Sequence, residues 1–225
     1  MLSSTRLNQI EENRKRLIPI IDTIITLGKQ NIPFRGHRDD GGLLEKTTSS
    51  IVNENEGNFR EILKLRIRAG DKILENHLKT TGANDTYISK TTQNSIIECC
   101  GQEILDNISE FITQTKYYSI LFDETTDIST ISQMSVILRY AYKGEIREDF
   151  IGFFDLHELN YGSELHLETE PKIDGKKLGQ SVLHILKETK INIKLCVGIC
   201  TDTCSVMLSE LRGAVSEIQK SAPHA

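Results

Sequence analysis

No stretch of this 225-residue chain approaches 18 consecutive apolar residues, so no membrane-spanning helix is expected. The N-terminal segment MLSSTRLNQIEENRKR has no apolar core of the kind a secretory signal carries. The five cysteines contain no CxxC pair, and no matched His-x-x-x-His accompanies them. That spacing excludes an ordinary zinc finger and suits free thiols in a reducing compartment. An intracellular chain without membrane contact is therefore expected. Also absent are GxGxxG, a P-loop and a GxSxG elbow. His157, His166 and His184 are scattered and form no triad pattern. A net charge of −5 argues against a basic or membrane-binding patch over the whole surface.

What is present suits a globular protein. The chain is long enough to bury a core, with 38% hydrophobic and 26% charged residues. Helical spacing runs over Arg6 to Lys29, with Leu17, Ile21, Ile24 and Ile25 on one face and Pro19 inside the pattern. A loop rich in Gly and Ser/Thr covers 31–58. Phe59 to Leu78 returns to helical spacing, and Ser89 to Ile112 reads as a helix with the stripe Ile97, Cys100, Ile104, Ile108 and Phe111. The period then changes. Tyr117 to Phe122 is a short apolar strand, and Met134, Val136, Leu138, Tyr140 and Tyr142 alternate as a second. Lys143-Gly144 signals a tight turn into a third strand over Ile146 to Leu156. A loop over His157 to Asp174, a helix over Gly175 to Thr189, a strand over Leu195 to Cys200 and a last helix through Met207, Leu211, Val215 and Ile218 complete the order. Three strands in a meander, a helical crossover and a fourth strand predict an α/β fold that opens like ribonuclease H. The right-handed crossover rule returns the fourth strand parallel to an earlier one.

Two of these strands run into an acid. YYSILFDETTD carries Asp123 after its apolar run, and KLCVGICTD carries Asp202. If the fourth strand lies beside the first, the two carboxylates sit at adjacent strand ends. Such a pair repels itself unless a cation lies between, and magnesium or manganese takes one or two carboxylates plus water and phosphate oxygens. Two ions clamped there would serve phosphoryl transfer. The plainer reading is that each Asp caps the turn or helix that follows. Asp127 reads as a turn residue, and Glu124 as a solvated one.

Arg60, Lys64, Arg68 and Lys72 recur every four residues and would share a helical face able to touch a phosphate backbone. Glu61, Asp71 and Glu75 dilute that field, and a solvated face is the alternative. Cys196, Cys200 and Cys204 read as core thiols, and Cys99-Cys100 as partly buried helix packing.

Several segments occur in an order that matches a known group: FRGHRDDG at Phe34 to Gly41, GNFREIL at Gly57 to Leu63, YISKTTQNSII at Tyr87 to Ile97, FDETTDIS at Phe122 to Ser129, and GICTDTCSVM at Gly198 to Met207, followed by RGAVSEIQKSAPHA. Together they resemble the transposase-derived domain of hAT-superfamily proteins, in the branch with the zinc-finger MYM-type proteins and the repressor of the inhibitor of the protein kinase. The resemblance covers nearly the whole chain. It implies a partial ribonuclease H-like domain over 116–225, truncated before its last acid, behind a helical region over 1–115. It also implies that Asp123 and Asp202 hold the first two places of an Asp-Asp-Glu triad. Asp202-Thr203-Cys204 departs from the family's Asp-Gly-Ala. The pattern stops at Ala225, before the strand, insertion and Glu that would complete it.

Two functions follow from the resemblance. One is a non-catalytic nuclear protein of transposase origin, acting through other proteins, through self-association by an incomplete sheet, or through weak DNA contacts. The other is a fragment of an active metal-dependent transposase. Glu210 and Glu217 fall on the helix directly after the fourth strand, not on a later one. Magnesium or manganese is the only cofactor the acid pair suggests.

Overall fold

The structure is a computed structural model that describes residues 4–37, 39, 43, 55–126, 131–161, 173–210 and 213–225. The chain forms two compact units, Met1–Gln102 and Glu103–Ala225.

The first unit is helical. Helix α1 spans Ser4–Lys29, α2 Asn58–Arg68, α3 Lys72–Thr80, and the first part of α4 (Lys90–Thr115) belongs here. Its core gathers Ile20, Ile24, Leu27, Phe59, Leu63 and Leu74. The single helix expected from Phe59 to Leu78 is two helices. Gly70, at φ 102°, ends α2 in a left-handed turn, with its N–H on the Ile67 carbonyl at 3.0 Å and the Asp71 N–H on Arg66 at 3.0 Å. This pair of bonds is a Schellman closure. The Asp71 carboxylate then accepts from the Leu74 N–H at 3.0 Å and caps α3. In α1 the buried face is Pro19, Ile20, Thr23, Ile24 and Leu27, so of the expected face only Ile24 enters the core. Pro19 is accommodated inside the helix.

The second unit is α/β. Strands β1 (Tyr118–Thr126), β2 (Ser132–Tyr142), β3 (Glu145–Asp155) and β4 (Cys196–Cys200) form one sheet in the order β3-β2-β1-β4. The first three pair antiparallel. Lys143 and Gly144 both take positive φ, 51° and 85°, and join Tyr142 to its partner Glu145. That is the two-residue turn whose twist matches the strands. The chain then crosses through α5 (Leu156–Tyr161) and α6 (Gly175–Glu188) and returns as β4, parallel to β1. Helices α7 (Ser205–Leu208) and α8 (Ala214–Gln219) follow. Ile120, Phe122, Val136 and Leu138 on one sheet face meet Leu178, Val182, Ile185 and Ile218 in the core.

Three expectations change here. The loop expected from His157 begins as α5, because the Asp155 carboxylate accepts from the His157 and Glu158 N–H groups at 2.8 and 3.0 Å. The last helix is two short ones, with Gly213 as the N-cap of α8, and Leu211 lies outside the described residues. On α4, Ile108 and Ile112 are buried, while Ile97 and Ile104 of the expected stripe are exposed. The helix runs from the first unit into the second. Asp127, His166 and most of the loop at 31–58 also fall outside the described residues.

Candidate functional site

The strand carrying Asp123 does not end there. β2 continues to Ser132 and supplies ladder partners, so β1 runs through Asp123, which pairs with Ser135, as far as Thr126. Alternation sets the faces. Ile120 and Phe122 point into the core, so Leu121 and Asp123 point to the other side, and Asp123 is exposed. On the neighbouring strand the parallel register aligns Leu121 with Cys200. Two residues further along the chain are Asp123, still within β1, and Asp202, just past the end of β4. Both line one open cleft of about 230 Å³ together with Leu121, Phe122, Ser135, Ile137, Cys200 and Thr201.

The cleft holds two exposed carboxylates and no basic side chain among its lining residues. The Thr201 hydroxyl, next to Asp202, is buried without a hydrogen-bond partner. Ser135 Oγ donates to the Asp123 carbonyl at 3.3 Å. Two oxygen donors of this kind would suit a magnesium or manganese ion, which takes one or two carboxylates plus water. Such a cation, held by Asp123 and Asp202, would neutralise their repulsion and polarise a phosphate oxygen. Among the described residues no group of three or more His, Cys, Asp and Glu side chains is placed to hold a metal. Glu217 lies on α8 and pairs with Lys220. Ser135 and Ile137 were not singled out from the sequence, although the alternation through Met134 and Val136 already put them on the opposite face.

Cys196 is buried, and burial raises its thiol, its hydrogen bonding with the Gly198 and Ile120 backbone offsetting this only in part. Cys200 and Cys204 are exposed, against the expectation of core thiols, because Cys200 faces the cleft side of an edge strand and Cys204 caps α7. Cys99 is exposed and Cys100 half-buried.

The four basic residues do not share one face. Lys72 opens α3, beyond the break at Gly70, and pairs with Glu75 at 2.8 Å. Arg60 is 3% exposed, with its Nε on Glu56 at 2.8 Å, and Lys64 holds the same carboxylate at 2.7 Å. Arg68 is exposed at the end of α2. Burial works to raise the Glu56 carboxyl, but Lys64 and Arg60 outweigh it and hold the group below the usual range. A depressed carboxyl contributes stability above its unfolded pKa and loses it as pH falls through the folded value. Glu56→Gln is therefore expected to cost about 2 kcal/mol at neutral pH. The gap to wild type should close as pH drops below about 4. Urea unfolding across that range checks it, and a gap independent of pH would contradict it.

Comparison with known proteins agrees with the fold. The family model described as DUF4371, ZMYM1/FAM200, RNase-like domain, matches residues 1–213. The human 52 kDa repressor of the inhibitor of the protein kinase is 26% identical over 216 residues, covering 96% of this chain and 26% of that protein. Its mouse counterpart is 25% identical over the same spans. The chain thus spans about a quarter of the length of the curated relatives it matches. Among the described residues no helix is long and apolar enough to cross a membrane.

Proposed function

We propose, from the premise that this chain belongs to the ZMYM1/FAM200 RNase-like domain family, that it is a transposase-derived domain of hAT descent. It acts in the nucleus through contacts with other proteins, and more weakly with DNA, rather than by cutting DNA. The observation that carries this reading is the cleft itself. Asp123 of β1 and Asp202, two residues past the end of β4, line it together with Leu121, Ile137, Ser135 and Cys200, and such a pair would suit the leftover of a cation site. A cleft lined by two acids and no base repels a phosphodiester until a cation binds. Protein contacts find support elsewhere in the same unit. On the cleft side of the sheet, Ile146, Phe150 and Phe153 of β3 are 69%, 50% and 62% exposed.

Calorimetric titration with Mg²⁺ and Mn²⁺ tests the site, and a supercoiled-plasmid assay tests the absence of cutting. Saturable binding with a Kd on the order of millimolar is expected. Asp123→Asn should abolish it, and no cleavage should occur with either ion. No binding by the folded wild type would remove the cation site. Metal-dependent cleavage lost in Asp123→Asn would instead establish an active nuclease.

A further inference from the structure

Helix α1 buries one face and leaves another apolar face uncovered among the described residues. Ile20, Ile24 and Leu27 enter the core of the first unit. A second stripe, Leu7, Ile10, Leu17, Ile21 and Ile25, follows the same helix at three- and four-residue steps once Arg14 fills the gap between Ile10 and Leu17, and Ile18 flanks it beside Leu17. Leu7 is 52% exposed, Ile10 37%, Ile18 59% and Ile25 38%. Every residue from Ser4 to Arg16 is exposed. Steps of three and four are those of a two-helix seam. The charges beside it are engaged locally: Lys15 meets Glu11 at 3.6 Å and Glu12 at 3.4 Å, and Asp22 meets Arg66 at 2.6 Å.

We propose that this stripe is a homodimer seam, in which α1 packs antiparallel against α1 of a second copy of this chain. The stripe reads nearly the same in both directions. An antiparallel pair sets Leu7 against Ile25 of the partner subunit and Ile10 against Ile21 of the partner subunit, and the two-fold axis repeats both contacts. Charge fixes the direction. Arg14 lies within the stripe, between Ile10 and Leu17. A parallel pair would oppose two like charges in an apolar seam. The antiparallel pair sets each Arg14 against Leu17 of the partner subunit, where its stem covers apolar surface and its head reaches water. The helix has 26 residues and is about 39 Å long. A helix pair of that length falls near the lower end of stable interfaces, roughly 1,200 Å² in total. A seam of that size suits a reversible dimer rather than a permanent one.

Sedimentation equilibrium of the whole chain from roughly 1 to 100 μM tests the seam. Wild type is expected to show a reversible monomer–dimer equilibrium. The Leu7→Glu/Ile18→Glu double variant should weaken it on the order of 100-fold. Its circular dichroism should match wild type, and so should its melt at concentrations where wild type is monomeric, because both positions are exposed. Arg14→Leu should tighten the dimer by about tenfold, since a charge in the seam costs stability. A wild type that stays monomeric throughout would overturn the proposal, as would a dimer that survives the double variant. A monomer that co-sediments with anionic lipid vesicles would also overturn it, assigning the stripe to a membrane surface.

Discussion

Gly57→Ala is expected to unfold much of the first unit, at a cost on the order of 3–5 kcal/mol. Gly57 sits at φ 87° and ψ 155°, a region that side chains other than glycine's hardly enter. A Cβ there would lie 2.6 Å from the Arg35 carbonyl carbon, the Gly36 nitrogen and the Phe34 oxygen. All three are backbone atoms and cannot swing aside. The opposing glycine is as tightly placed, since a Cβ on Gly36 would fall 2.2 Å from the Asn55 oxygen and the Gly57 nitrogen. Two chain segments thus cross with no room for a methyl group. The crossing is tied by the Asn58 side-chain amide, which donates to the Pro33 carbonyl at 2.7 Å, and by the Phe59 N–H on the Phe34 carbonyl at 3.3 Å. Beside it, the Arg35 guanidinium reaches Asn94 at 2.7 Å and Gln93 at 3.2 Å on α4. Gly28→Ala is the control. It has nothing within 4 Å of its Cβ position and lies in α1, so it should be neutral or stabilising by up to about 1 kcal/mol. Thermal and urea unfolding of the two variants, with hydrogen exchange of α2 amides, decides the matter. Equal stability for both would refute the account of the crossing.

Phe122→Ala carries the second large effect. Phe122 is 3% exposed and belongs to the core of the second unit. It pairs with Val136 on β2 and points inward, which fixes its neighbour Asp123 outward. Removing the ring loses its transfer energy and leaves a cavity, about 3–5 kcal/mol together. Asp123→Asn at the next position changes an exposed side chain and should move stability by less than about 0.5 kcal/mol. Urea denaturation of both variants should therefore separate the anchor of the cleft from its chemistry. If Phe122→Ala costs under about 1 kcal/mol, β1 is not held by its inward face.

Much of the second unit was readable from local pattern. The alternation through Met134, Val136, Leu138 and Tyr140 is the inward face of β2. Lys143-Gly144 is the turn it signalled, and Leu178, Val182, Ile185 and Leu186 are the buried stripe of α6. Local chemistry also accounts for elements that depart from the apolar spacing. Ala69-Gly70-Asp71 combines a helix-ending glycine with a capping Asp, which outweighs the continuous apolar spacing on either side. Asp155 caps α5 in the same way. Other features carry no local signal. Arg60 has the composition of a solvated face, yet it is buried, because Glu56 lies close enough to carry its charge.

By itself, the sequence determined the change from helical to alternating period, the order of the sheet's strands along the chain, the two acids that follow apolar runs, and the family. These signals act over a few residues, so turn chemistry and side-chain period are enough to read them. Only the tertiary structure decided that β4 lies beside β1 in the register that brings Asp123 and Asp202 to one cleft. It also decided which of two apolar stripes on α1 enters the core, and that Arg60 and Lys64 share one carboxylate. Register and choice of face are settled by packing between segments distant in the chain, and no local pattern encodes which distant surface will arrive.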